Sequence, residues 1–206
     1  DFELIFIEAK NQKQLNNYKD FFKLMNYKGE GVCLDSANKR IFVELKSLNY
    51  EDIRLAFFTA IKSLEKLNIK SIKSQSVVGS CVVRSFACMA EGVGFANYEF
   101  NRYKSEKKPS TLERILLSKE ELNAKKFSKE EALIGLQRGE VLAKACHFTK
   151  DIVNEIPQIY TPLKMAEDAQ NLAKEYKAIT CKIYDEKFLE KEKMNAFLAV
   201  NRASVY

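Results

Sequence analysis

The stretch His147 to Tyr176, HFTKDIVNEIPQIYTPLKMAEDAQNLAKEY, joins two helical patterns across a short connection punctuated by prolines. Upstream of it, Ile134, Val141, Ala145, Phe148 and Ile152 keep the three-or-four spacing of one helix face. That pattern stops at Asn154-Glu155-Ile156-Pro157, because proline disfavours the α conformation in its predecessor and supplies no backbone donor. Thr161-Pro162 then restarts a helix, with Thr161 as N-cap and Pro162 at the first helical position, where its missing N–H costs nothing. The new face runs Met165, Ala169, Leu172, Tyr176. Everything before the first of these helices has to supply a folded domain of its own.

The residues before it alternate strands with helices. Phe2 to Ile7 is β-branched and aromatic enough for a buried strand, and Gln14 to Met25 reads as a helix with Leu15, Tyr18, Phe22 and Met25 on one face. Gly31 to Asp35 and Arg40 to Leu45 flank Ser36-Ala37-Asn38-Lys39 as a hairpin. Asn49 opens an amphipathic helix that turns Ile53, Phe57, Ala60, Ile61, Leu64 and Leu67 inward and stops at Asn68. Ile72 to Val78 is a second parallel strand, and Cys81 to Phe100 a third helix that buries Val82, Phe86, Met89, Ala90 and Val93. Gly92 and Gly94 each cost that helix about 1 kcal/mol relative to Ala, so they belong where something packs closely. The alternation implies crossover connections and a mixed sheet covered by helices on both faces.

Three motifs then carry a resemblance. The first is Asp151-Ile152-Val153-Asn154-Glu155-Ile156-Pro157 followed by Thr161-Pro162-Leu163-Lys164-Met165-Ala166. The second is the run Ala90-Glu91-Gly92 to Tyr98-Glu99-Phe100-Asn101-Arg102-Tyr103-Lys104. The third is Tyr184 to Leu189 followed by Met194-Asn195-Ala196-Phe197-Leu198-Ala199-Val200. In this order and spacing they resemble the leucyl (cytosol) aminopeptidase family, with Phe95 for its usual Leu, Lys150 for Arg, Ile156 for a first Pro and Ile183 for Val.

The resemblance implies an α/β, macro-domain-like mixed sheet over residues 1–127, a linking helix and hinge over 128–160, and the truncated start of a metallopeptidase domain over 161–206. In that start, the first strand–helix–strand unit, Ala196 to Val200 reads as a strand buried on both sides. It further implies a parent enzyme that removes N-terminal amino acids from peptides with two divalent metal ions, Zn or Mn, and that assembles as a homo-hexamer. The family's metal ligands, one Lys and several carboxylates in Gly-rich runs, have no match among these 206 residues. No catalytic, cofactor-binding or metal-ligating residue is therefore assigned here, and these residues alone are expected to be inactive and to hold no cofactor.

Composition narrows the alternatives. No window reaches the ~18 uninterrupted apolar residues of a membrane span. The opening carries no charged-then-apolar signal, and its first residue is Asp1 rather than Met, which reads as a trimmed start. Five cysteines, Cys33, Cys81, Cys88, Cys146 and Cys181, show neither CxxC nor zinc spacing and read as reduced, mainly buried thiols of a cytoplasmic protein. The net charge of +6 is spread along helix faces, and its densest group, Lys104, Lys107 and Lys108, sits in a polar segment, so nucleic-acid binding gains no support. A stand-alone macro-like module for a nucleotide such as ADP-ribose is the alternative, but no Gly-rich phosphate loop follows a strand. His147 and Cys146 are adjacent on a helix and point to different faces, which makes no nucleophile–base couple. Asp151 and Glu155, one turn apart, read as a helix-end cap or salt bridge rather than a cation site.

Overall fold

A computed structural model of the chain describes residues 1–8, 11–65, 67, 69–106, 112–117 and 127–202. The chain divides into two compact units, residues 1–150 and 151–206. The first is built on a five-stranded sheet in the order β2-β3-β1-β4-β5, with β1 Phe2–Ile7, β2 Val32–Asp35, β3 Arg40–Glu44, β4 Ser71–Ser74 and β5 Arg114–Leu117. Strand β1 lies parallel to β3 and β4, and β4 parallel to β5, while β2 pairs antiparallel with β3.

The period-two geometry of a strand splits the apolar run of β1 between two cores. Leu4 and Phe6 join Ile41, Val43 and Ile72 on one face, under α3 (Tyr50–Leu64) and α4 (Val82–Ala96). Ile5 and Ile7 meet Phe22, Cys33 and Phe42 on the other, under α1 (Gln12–Asn17) and α2 (Lys19–Leu24). Helices thus cover both faces of a mixed sheet, as the alternation of elements requires.

The helix read over Gln14 to Met25 is two short helices instead. The chain breaks at Tyr18, whose φ of −127° and ψ of 24° lie outside the helical region. The break lets the Tyr18 ring meet Phe42 edge-on at 4.8 Å, while Leu24 and Met25 turn outward. Helix α3 starts where expected. The Asn49 side chain accepts from the Asp52 N–H, and Ile53, Ala56, Phe57, Ala60, Ile61 and Leu64 form its buried stripe. Asn68, read as its stop, lies outside the described residues, as do Lys107 and Lys108. Strand β4 and helix α4 are shorter than their patterns suggested, the helix closing at Ala96 with Asn97 as C-cap.

Helix α5 (Lys129–Asn154) corrects the face assigned to it. Its buried residues are Ala132, Gly135, Gly139 and Ala143, whereas Ile134, Val141 and Phe148 are exposed. Bulk explains the exchange. Alpha carbons that approach a neighbouring helix closely leave no room for large side chains, so the small face packs and the large one faces out.

In the second unit, Thr161 caps α6 (Pro162–Glu175) and accepts from the Lys164 N–H, with proline at the helix start. Helices α7 (Glu186–Lys191) and α8 (Asn195–Asn201) follow. The expected strand at Ala196 to Val200 is therefore a helix, with Phe197 65% and Val200 85% exposed. Among the described residues of this unit no strand offers it a ladder partner, and a helix satisfies the backbone groups locally. Helix α6 buries none of its residues, so Met165 and Tyr176 do not form an inward face.

Candidate functional site

The motif residues of the first unit gather along α4. Glu91 is buried, and its carboxylate accepts from the Arg54 guanidinium at 2.6 Å. Arg54 also pairs with Glu51 on its own helix, and its second nitrogen lies 3.6 Å from the Cys88 sulfur. This group pins α3 to α4. Gly92, the next residue, permits the contact, since a Cβ there would lie 2.3 Å from the Arg54 carbonyl oxygen. Burial pushes the Cys88 thiol up by more than the Arg54 charge lowers it, which leaves a poor nucleophile.

At the far end of α4 the same run meets α5. His147 Nε2 is 2.9 Å from the Gly94 carbonyl oxygen, so that nitrogen donates. The imidazole packs on Tyr98 at 5.2 Å, and the Lys150 ammonium sits 4.9 Å above the same tyrosine ring. Beyond the helix, Phe100 and Tyr103 pack at 5.9 Å and Asn101 donates to Glu99 at 2.6 Å. His147 is a helix-to-helix tether here, not a base poised over a nucleophile. In the second unit the Glu155 carboxylate accepts from the Ile156 N–H at 2.9 Å.

The run along α4 thus serves packing, whereas the motif residues on α6 and α8 are not buried. Among the described residues, no three His, Cys, Asp or Glu side chains gather as a metal would need. What the pattern reading missed is the contact between α4 and α5. A Cβ on Gly135 would lie 2.5 Å from the Val83 carbonyl oxygen, and one on Gly139 2.2 Å from that of Ala87. The signal was available as small residues at helical spacing, Ala132, Gly135, Gly139 and Ala143.

Comparison with known proteins bears on what this packing serves. The profile of the cytosol aminopeptidase family, catalytic domain, matches residues 147–206. A probable cytosol aminopeptidase of Campylobacter jejuni is 70% identical over 206 residues, all of this chain and 43% of the relative. The chain belongs to the cytosol aminopeptidase family. A second such relative, from Wolinella succinogenes, is 37% identical over 172 residues, 82% of this chain and 35% of the relative. The family member therefore spans less than half the length of these curated relatives, and aligns with the amino-terminal part of the first. A solved tomato leucine aminopeptidase mutant shares the fold, with a TM-score of 0.76 at 18% identity over 99% of this chain and 45% of that one.

Proposed function

We propose that the chain is the amino-terminal part of a two-metal aminopeptidase that removes N-terminal amino acids from peptides. The observation that carries this is the 70% identity along all 206 residues to a probable cytosol aminopeptidase more than twice as long. In this proposal an α/β domain covers 1–127, a linking helix and hinge 128–160, and the start of the metallopeptidase domain 161–206; the profile match over 147–206 favours a catalytic-domain start in the last part of the chain.

The described residues do not fit a pair of metal ions, for they bring no three ligating side chains together. We assign the ligands for Zn or Mn to positions outside this sequence. Homo-hexameric assembly and a cytoplasmic setting belong to the same proposal. The ion pair of Arg54 and Glu91 and the tether from His147 to Gly94 hold the helices of the first unit together.

The test compares this chain with one extended to the length of the relatives, using leucine p-nitroanilide and added Mn²⁺ or Zn²⁺. The longer chain should turn over substrate in a metal-dependent way and the 206-residue chain should not. Metal-dependent turnover by the shorter chain would refute the placement of the ligands.

A further inference from the structure

Helix α5 carries two apolar faces, and the first unit packs only one of them. With about 3.6 residues per turn, Ala132, Gly135, Gly139 and Ala143 lie on the packed side, and Ile134, Val141, Ala145 and Phe148 lie opposite, all four exposed. The outer row is a continuous stripe. Ile134, Val141 and Phe148 recur at every seventh residue, which at the rise of an α-helix spans about 21 Å. Val141 is 66% exposed, and Leu133 and Leu142 widen the stripe at its two edges. A helix face left to solvent carries charged and polar residues. A row of large apolar side chains this long belongs instead to a surface that something covers.

The catalytic-domain profile of the family begins at His147, inside α5 and next to Phe148, so this helix stands at the junction of two domains. The Campylobacter jejuni relative continues for more than half its length beyond the part that this chain matches. Size argues in the same direction. A stable pair of separate copies buries about 800 Å² on each partner, and one row of side chains on one helix is too narrow for that. A domain on the same polypeptide needs far less contact, because a short tether holds it at an effective concentration on the order of millimolar.

We infer that the outer face of α5 is the seat of the catalytic domain of the same polypeptide, formed by residues that follow Tyr206 in the longer enzyme. This rests on the reading of the chain as the amino-terminal part of that enzyme. The surface that meets the stripe is apolar, because Ile134, Val141, Ala145 and Phe148 offer no side-chain donor or acceptor to a buried polar group. Helix α5 is then a wall shared by two domains, its small residues against α4 and its large ones against the peptidase domain.

The test uses this chain and one extended to the length of the relatives. In the longer chain Val141 is replaced by the photo-crosslinker p-benzoylphenylalanine, and the irradiated product is sized under denaturing conditions and peptide-mapped. Cross-links should join position 141 to residues beyond Tyr206 in a product of single-chain mass. A product of doubled mass would give the stripe to a second copy and overturn the inference. Hydroxyl-radical footprinting of the two unsubstituted chains needs no variant. Val141, Leu142 and Phe148 should be oxidised readily in the 206-residue chain, and in the longer one as slowly as the buried Ile53 and Phe57. Equal oxidation in both chains would also overturn it. Turnover of leucine p-nitroanilide with added Mn²⁺ is scored separately. An active longer chain with an open stripe refutes the docking alone, whereas an inactive one with a covered stripe supports the docking and counts against the peptidase reading.

Discussion

Replacing Gly139 by alanine should destabilise the first unit, although alanine is the better helix former. The two effects oppose each other and have comparable size. In a helix interior, glycine to alanine gains about 1 kcal/mol of propensity. Against this, the new Cβ would sit 2.2 Å from the Ala87 carbonyl oxygen and 2.7 Å from the Ala90 Cβ. Ordinary carbon contacts lie near ~3.5–4.0 Å, so the helices must part by roughly 1 Å. The atom in the way is backbone, and no rotamer change can move it aside. Parting the helices also opens the neighbouring contacts at Gly135 and Ala143, which share the same seam. Overpacking of this kind costs about 1–3 kcal/mol. The net expectation is a loss of about 1 kcal/mol, or roughly 2–4 °C in the melting midpoint of a unit this size. Thermal melts followed by circular dichroism and by tyrosine fluorescence measure it, the chain having no Trp. A variant that melts higher than the parent would refute the close-packed seam, since propensity would then act unopposed.

Two further outcomes follow from burial. Cys33 and Cys88 are buried, and burial pushes both thiols up, with Asp35 adding to the effect at Cys33. Ellman's reagent near pH 8 should therefore modify the half-buried Cys81, Cys146 and Cys181 first and leave those two slow, whereas one common rate for all five in the folded protein would contradict the placement. In hydrogen exchange, amides of α6, α7 and α8 should show little protection beside those of α3 and α4, because none of the three helices buries a residue and two of them are only 6 and 7 residues long. Equal protection in both units of a monomeric sample would argue against it.

How much of this the sequence disclosed depended on which property carried the information. Turn and cap chemistry read correctly, as did the apolar stripe of α3, whereas the apolar spacing of α6 marked no buried face. The hairpin of β2 and β3 turns at Asp35, whose carboxylate accepts from the Asn38 N–H at 3.1 Å, and Lys39 takes a φ of +53° at the strand entry. Thr161 and Pro162 behave as their chemistry dictates. Where volume carried the information, the reading failed. On α5 two faces keep the same three-or-four spacing, one of large apolar residues and one of Ala and Gly. A hydropathy pattern favours the large face, yet the small one allows the close approach on which α4 and α5 depend. The break at Tyr18 was hidden for a related reason: a single ring packing on Phe42 outweighs the local helical preference, and no periodicity reports a tertiary contact.

The segment Asn195–Asn201 shows where a correct family reading still leaves local structure open. Ala196, Phe197, Leu198, Ala199 and Val200 form a run that periodicity cannot assign, since a short apolar stretch fits a buried strand and a helix equally. Propensity leans towards helix through its two alanines and its leucine, and only Val200 and Phe197 lean the other way. What would settle the matter for a strand is a neighbour, because an unpaired strand leaves its N–H and C=O groups to water while a helix bonds its own. The described residues of the second unit contain three helices and no strand, so the helix is the form that closes its backbone bonds without help. The cost appears in the side chains, with Phe197 and Val200 among the most exposed large apolar residues of the protein. Backbone satisfaction is therefore the stronger constraint here, and the conformation of these residues is set by which strands stand beside them rather than by their own composition.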